Sequence, residues 1–148
     1  MGKKKDRLRP ELDREPRTQY AALPWRLRDG ALEILLITSR ETRRWVIPKG
    51  WPIEDIKPGA SAAREAFEEA GVLGMPGRRS LGVYHYDKRL RSGRLQHVRV
   101  QVFPLEVREQ AEDWPEKGQR DLLWTTPADA AGKVAEPELQ ALLAAFRV

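Results

Sequence analysis

The order of apolar and polar positions along this chain predicts strands interleaved with helices. Two apolar runs, Gln19–Leu27 and Leu32–Thr38, flank the turn-type sequence Arg28-Asp29-Gly30 and predict an antiparallel hairpin. Prolines and glycines in Lys49–Gly59 predict a loop. Further strands are predicted where β-branched and aromatic residues concentrate: Trp45–Ile47, Ser80–Tyr86, His97–Val107 and Leu122–Trp124.

Helices are predicted in three other stretches. Ala60–Ala70 is rich in Ala and Glu, contains no helix breaker and ends at Gly71, which is typical of a left-handed C-terminal cap. Pro127–Gly132 and Pro137–Phe146 also have helical patterns. Together these elements predict an α/β fold in which a mixed β-sheet lies between helices.

The N-terminal segment differs from the rest of the chain. It is dense in charged residues and proline and has little apolar content, so residues 1–17 are expected to form a flexible basic arm. Residues 18–148 are expected to form a single domain.

Composition and charge narrow the class of partner. The formal net charge is +5, from 27 Lys and Arg against 22 Asp and Glu, and this surplus favours a polyanionic partner such as a nucleotide, an inositol phosphate or a nucleic acid. No apolar run approaches the roughly 20 residues that span a bilayer, so no membrane partner is expected. The basic start lacks the apolar region of a signal peptide, and cysteine is absent, which favours the cytoplasm. The oligomeric state does not follow from the sequence.

The predicted helix Ala60–Ala70 has two chemically different faces. At about 100° per residue, alanines and Phe67 share one face, whereas Glu65, Glu68 and Glu69 share the adjoining face. Like charges at this spacing destabilise a helix, and a divalent cation would reverse that effect. Oxygen ligands without Cys or clustered His favour Mg²⁺ or Mn²⁺, which in turn favours a phosphate-bearing substrate. The alternative is an acidic helix face that is only solvated.

The residues around these glutamates resemble a known motif. Gly50–Val72 is similar to the Nudix box, G-x5-E-x7-R-E-U-x-E-E-x-G-U, where U is aliphatic. Two positions depart from it: Ala66 occupies an aliphatic position, and Ile56 replaces the first box Glu, which leaves the number of metal ions open. Seven positions match in register: Gly50, Arg64, Glu65, Glu68, Glu69, Gly71 and Val72.

The resemblance implies the Nudix fold and a metal-dependent hydrolase of a phosphoanhydride. By this resemblance Glu65 and Glu69 hold Mg²⁺, with help from Glu68 and the Gly50 carbonyl, and Arg64 pairs with a box carboxylate. The reaction is then attack of a metal-activated water on phosphorus, with a box glutamate or an outside residue taking the proton. A surface ion pair is the alternative for Arg64.

Flanking residues resemble one branch of that family, the diphosphoinositol polyphosphate phosphohydrolases, which also hydrolyse diadenosine polyphosphates. The segments that carry this similarity are Leu35–Arg40, Arg44–Pro48, Asp113–Glu116 and Gly118–Trp124, and the resemblance covers about Tyr20–Leu143. It implies a small polyanionic substrate. The substrate-binding residues that it implies are Arg17, Thr38, Ser39, Arg40 and Arg120. Lys49 departs from the family pattern, because it replaces a glycine of the glycine-rich turn, and it adds a further candidate substrate-binding cation beside the metal site. For such basic residues the alternative is a solubilising loop.

Two other functions remain open at this stage. Ile56 and the basic arm also suit a non-catalytic Nudix-fold module that binds a phosphorylated ligand or RNA, and a basic surface would suit hydrolysis of capped RNA ends. His85 and His97 lie in strand patterns, where packing is the expected role, and neither is assigned to the site.

Overall fold

The structure is a computed structural model, and it describes residues 12–148. Within these residues the sheet has eight strands: β1 (Leu12–Arg28), β2 (Ala31–Thr38), β3 (Trp45–Val46), β4 (Lys49–Gly50), β5 (Val72–Pro76), β6 (Gly82–Arg89), β7 (Leu95–Gln110) and β8 (Leu122–Thr125). Their order in the sheet is β3-β2-β1-β7-β5, with β4 paired to β1, β6 to β7 and β8 to β2.

The sheet is mixed, as predicted. β1 runs parallel to β7, while the predicted hairpin of β1 and β2 is antiparallel and turns through Asp29 and Gly30, both with positive φ. The pairing of β4 with β1 places Gly50 opposite Tyr20. This short pairing holds the start of the box next to the central strands.

Three helices cover the two faces of the sheet in the described residues: α1 (Pro58–Ala70), α2 (Pro127–Ala131) and α3 (Pro137–Ala145). Gly71 caps α1 with φ 72°, as expected from the sequence. Residues alternate along β2, so that Leu35 packs in the core under α1 whereas Leu36 packs in the core that contains Leu139 of α3. The predicted α/β architecture, a mixed sheet between helices, is therefore confirmed.

Two features differ from the predicted pattern. Residues 12–17, expected to be part of the arm, belong to β1, where Arg17 pairs with Val98 of β7; residues 1–11 of the expected arm lie outside the described residues. The pattern also missed β5, because its sequence Val-Leu-Gly-Met-Pro contains both strand breakers. β5 tolerates these two residues because it lies at the edge of the sheet. A shift in register at Gly74 allows the glycine to lie against the backbone of Glu106.

No helix within residues 12–148 has the length and apolar character needed to cross a membrane.

Candidate active site

A cavity of about 290 Å³ lies where the carboxylate face of α1 meets the turn after β2 and the residue before α3. Its size suits a small molecule. The lining combines five basic side chains with three acidic ones and two tyrosines, and its residues are Gln19, Ser39, Arg40, Glu41, Thr42, Arg44, Val46, Lys49, Gly50, Trp51, Glu69, Tyr84, Tyr86, Lys88, Arg120 and Glu136.

The helix α1 brings the box glutamate Glu69 to the cavity wall and places Glu65 beside it. Ala62, Ala66 and Ala70 are buried against the sheet, and this packing fixes the rotation of the helix about its axis. Glu69 is only 7% exposed, and its Oε1 accepts a hydrogen bond of 3.3 Å from the backbone N–H of Lys49. Glu65 lies one turn earlier, against the backbone of Gly50, where any Cβ would overlap its carboxylate.

The electrostatic environment of these glutamates disfavours their negative charge. Burial raises the pKa of Glu69 to about 8, although Arg120 and Lys49 oppose the shift. Burial, followed by the charge of Glu68, also raises the pKa of Glu65, and a hydrogen bond with Glu69 partly offsets the rise. Near neutral pH Glu69 therefore holds a proton that a divalent cation would displace.

Glu116 supplies a fourth carboxylate that the sequence analysis did not assign. Its charge contributes to the raised pKa of both Glu65 and Glu69. Its Oε1 accepts a hydrogen bond of 2.9 Å from Nε of Arg120 and lies 2.9 Å from the NH2 nitrogen of the same residue. Glu54 and Asp55 of the box loop are exposed and do not line the cavity, so neither compensates for the missing first box Glu at Ile56.

The donor set suits a hard divalent cation. The only ligand atoms brought together here are oxygens, from Glu65, Glu69 and the Gly50 backbone. The neighbouring cations do not fully compensate the negative charge of these carboxylates. Within the described part of the chain, no three His, Cys, Asp or Glu side chains are already grouped as metal ligands. The fit of Mg²⁺ therefore rests on two carboxylates, as is common for this ion, which keeps waters and phosphate oxygens as its remaining ligands.

Arg120 lies at the centre of the cavity wall opposite α1. Its side chain is 10% exposed; NH1 donates 3.1 Å to the Thr38 carbonyl, and NH2 lies 3.9 Å from Glu69 Oε2. With Glu116 also bound, most of its donors already have protein partners. Arg120 thus lines the cavity, and it also holds the turn after β2 against the segment that contains Glu116.

The turn after β2 carries the other predicted phosphate contacts. Ser39 and Arg40 line the cavity together with Thr42 and Arg44, which were not predicted as site residues. Thr38 does not line it: its side chain is buried, and its hydroxyl accepts a hydrogen bond of 2.9 Å from the backbone N–H of Asp121. The structure therefore corrects the expectation for Thr38, because its hydroxyl anchors β8 to β2.

Lys49 and Trp51 form the side of the cavity nearest β1. Lys49 Nζ lies 5.0 Å from the Tyr86 ring centroid, and burial of the ammonium group lowers its pKa. Arg17, a predicted substrate residue, does not line the cavity; its guanidinium lies 4.5 Å from the ring centroid of Trp51, which does. Arg17 is therefore connected to the cavity by its contact with Trp51, not by lining the cavity itself.

Arg64 and Glu68 are two further predicted residues outside the cavity lining. Arg64 is exposed and makes no ion pair within 4 Å with a described residue, so the expected pairing with a box carboxylate is absent. Glu68 is partly buried; its backbone carbonyl accepts from Glu116, and its charge acts on Glu65. Neither lines the cavity.

Several cavity residues escaped the sequence analysis. Tyr84, Tyr86 and Gln19 lie in strands whose patterns indicate packing only, and Glu136 precedes a helix without any motif. His85 and His97 do not line the cavity: they stack on each other with centroids 5.3 Å apart, and each bonds to a carboxylate, of Glu138 and Asp87 respectively. This arrangement agrees with packing on the strands.

Comparisons with known proteins give the same family that the motif from Gly50 to Val72 indicates. A model of the NUDIX domain matches residues 17–146. The chain is 35% identical over 102 residues to Nudix hydrolase 12, mitochondrial, of Arabidopsis thaliana, covering 67% of this chain and 50% of the relative. It is 40% identical over 83 residues to human diphosphoinositol polyphosphate phosphohydrolase 3-beta, covering 55% and 46% respectively. The chain thus spans about half the length of these curated relatives.

A solved structure shows the same fold. The C. elegans Ap4A hydrolase superposes with a TM-score of 0.61 at 18% identity, covering 87% of this chain and 94% of that one. The predicted Nudix fold is confirmed, and the relatives named as hydrolases agree with the prediction of a phosphohydrolase. The matched model spans most of the described residues, including the box from Gly50 to Val72, and the chain belongs to the NUDIX domain family.

Proposed function

We propose that this protein is a Mg²⁺-dependent hydrolase that cleaves a phosphoanhydride bond in a diphosphoinositol polyphosphate or a diadenosine polyphosphate. The observation that carries the proposal is the juxtaposition of Glu65 and Glu69, whose pKa values are raised, with a cavity whose lining includes five basic side chains. An excess of buried negative charge favours a metal ion, and the cations beside it favour a polyphosphate. The relatives named for diphosphoinositol polyphosphates and for Ap4A agree with this choice.

Each part of the cavity has a distinct task in the proposed reaction. Glu65 and Glu69, with the Gly50 carbonyl and support from Glu68, hold Mg²⁺, which would lower the pKa of a water and neutralise phosphate charge. Arg40 and Lys49 bind substrate phosphates, and Ser39 offers a hydroxyl to them. Arg120 keeps the position of Glu69 relative to the turn after β2 and stabilises charge that develops on the phosphates.

The experiment that tests this proposal is a phosphate- and nucleotide-release screen with Mg²⁺ and with Mn²⁺. Diphosphoinositols, diadenosine polyphosphates and nucleoside diphosphate sugars are the substrates. We expect turnover of at least one of the first two classes, abolished by EDTA and by Glu69→Gln. The matched control is Glu112→Gln, which removes the same charge from an exposed position outside the cavity. Full turnover by Glu69→Gln across the panel would overturn the proposal.

Ile56 favours one second candidate, a binding module that has lost catalysis. It replaces a box carboxylate, and no other box-loop acid lines the cavity. Calorimetry with Mg²⁺ distinguishes the two functions, because a binding module would hold its ligand unchanged whereas an enzyme releases products. Capped RNA belongs in the same screen, since the basic cavity wall would also accept a triphosphate bridge.

A further inference from the structure

Glu136 is a half-buried residue of the cavity lining whose carboxylate has no evident structural task. It immediately precedes α3, where its backbone carbonyl accepts a hydrogen bond of 2.9 Å from Gln140, yet its side chain does not cap the helix. Its Oε1 is buried and has no hydrogen-bond partner in the described part of the chain. A buried carboxylate oxygen without a partner is costly, which suggests that a ligand supplies the missing donor.

The surroundings of Glu136 differ from the rest of the cavity. Tyr84 and Tyr86 lie on β6, and the Tyr86 hydroxyl already donates to Gln19 Oε1 at 2.8 Å. Lys49 and Lys88 also line the cavity, but neither forms an ion pair within 4 Å of Glu136, and Lys49 lies over the Tyr86 ring. The carboxylate therefore faces a partly aromatic part of the cavity with its charge only partly compensated.

Elsewhere in the cavity lining, the turn after β2 presents Arg40 and Arg44 with the hydroxyls of Ser39 and Thr42. A phosphate would be attracted there and repelled near Glu136, because Coulomb energies between charges increase where water is excluded. A hydroxyl or amino group would instead donate to the carboxylate. The charges of the cavity thus discriminate between a ligand that is phosphorylated on every side and one that has an uncharged end.

We propose that Glu136 determines specificity by accepting a hydrogen bond from an uncharged, hydroxyl- or amine-bearing part of the substrate and by excluding phosphate from this end of the cavity. This inference rests on the proposed function, because it concerns the same cavity. It selects, within that function, a linear nucleoside polyphosphate over a ring that carries phosphate at every position. The specificity lies in the repulsive contact as much as in the attractive one.

The test is calorimetric binding of two ligands that lack a cleavable anhydride, inositol hexakisphosphate and α,β-methylene adenosine diphosphate, with Mg²⁺ present. Glu136→Gln keeps the size of the side chain and removes its charge. We expect it to strengthen binding of the inositol phosphate by roughly tenfold and to leave binding of the nucleotide unchanged or a few-fold weaker. Glu138→Gln, which removes an equal charge from the exposed first turn of α3, should leave the ratio of the two affinities unchanged.

Equal changes in both affinities, an unchanged affinity for the inositol phosphate, or no binding of either ligand to the native protein would overturn the inference. Glu136→Asp retains the charge and should retain the discrimination, which gives a second variant if Glu136→Gln does not fold. The measurement requires no turnover. A protein that binds with this discrimination but hydrolyses nothing would therefore refute the proposed function and leave the role of Glu136 intact.

Discussion

The two walls of the cavity are built in opposite ways. The carboxylate wall is Glu69, which lines the cavity, together with three neighbouring carboxylates that do not line it, Glu65, Glu68 and Glu116; burial and mutual repulsion raise the pKa of Glu65 and Glu69. The arginine wall consists of Arg40, Arg44 and Arg120. All three have polar protein partners: Arg120 bonds to Glu116 and Thr38, Arg40 NH1 donates 3.0 Å to Gln119 Oε1, and Arg44 Nε donates 3.3 Å to Thr42 Oγ1.

This difference separates what is needed for folding from what is needed for chemistry. The arginine wall satisfies its charges within the protein and ties β2 to the segment before β8, so its centre contributes to stability. The carboxylate wall remains electrostatically unfavourable until a cation binds, which is the pattern expected of a functional site. Substitutions in the two walls should therefore have opposite effects on stability and activity.

The largest effect is expected for Glu69→Gln. Losing one of two metal carboxylates should lower kcat/KM by more than the roughly 10- to 100-fold typical of outer-shell metal partners. Steady-state kinetics on whichever substrate the release screen identifies would measure it, with Glu112→Gln as the control. A loss below tenfold would show that the carboxylate wall does not hold the catalytic metal.

The same variant makes a prediction about stability and pH. Because the folded-state pKa of Glu69 is raised to about 8, above the roughly 4.3 of an unfolded glutamate, the folded protein holds a proton that the unfolded chain releases between those values. The stability of metal-free protein should therefore fall as pH rises through this window. Thermal unfolding should show a shallower fall in Glu69→Gln; an equally steep fall in both proteins would contradict the assignment.

Arg120→Ala should act mainly on stability. It leaves Glu116 and Glu69 without their cation and removes the hydrogen bond to the Thr38 carbonyl, and breaking a buried pair in this way costs about 3–5 kcal/mol. Urea unfolding would measure the loss. Arg108→Ala, which removes an exposed arginine paired with Glu106, is the control and should change stability by less than about 1 kcal/mol. Equal losses in the two variants would remove the distinction between the walls.

Gly50→Ala should displace the Glu65 carboxylate without unfolding the protein. A Cβ at Gly50 would overlap that carboxylate, and a misplaced metal ligand costs up to about 100-fold in rate. We expect a fall in kcat of at least about tenfold with a small change in melting temperature. At Gly132 the nearest atom to an added Cβ is 3.5 Å away, so Gly132→Ala should have native activity. Native kcat in Gly50→Ala would show that Glu65 does not need its position beside Gly50.

The smallest effect is expected from Arg40→Ala, compared with Arg43→Ala. Both arginines lie on the same exposed turn, but only Arg40 lines the cavity, whereas Arg43 pairs with Asp121 at 2.9 Å. An exposed charge-assisted contact to phosphate is worth about 1.5–3 kcal/mol, so Arg40→Ala should raise KM roughly tenfold with little change in kcat. Arg43→Ala should leave KM unchanged, and equal KM values in the two variants would contradict the assignment of Arg40.

The sequence predicted the carboxylate wall more completely than the arginine wall. The box residues are close in sequence and share one helix, so their spacing alone places Glu65 and Glu69 on the same side. At the arginine wall, Thr38 and Arg40 lie close to Arg120, which is about 80 positions further along the sequence. Only the pairing of β8 with β2 shows that Thr38 is anchored by Asp121. Local patterns contain no information about such long-range contacts.

The same limit explains the errors in the fold. Strand β5 contains Gly74 and Pro76, which local propensity excludes, and it is stabilised by its pairing with β7. The sequence at the start of β1 predicts a charged arm because the residues of β7 with which it pairs lie 81 to 83 positions away along the chain. Glu136 had no motif at all, and its place in the cavity follows only from the packing of α3 on the sheet.

The central claim, that Glu65 and Glu69 hold a hard divalent cation, is tested most directly by calorimetric titration with Mn²⁺ in buffers of different ionisation enthalpy. Because Glu69 has a pKa of about 8, metal binding at pH 7 must displace its proton. We predict release of about one proton per metal ion at pH 7, falling towards zero by about pH 9, and none in Glu69→Gln. Metal binding by the native protein without proton release, or binding of equal affinity in Glu69→Gln, would contradict the account.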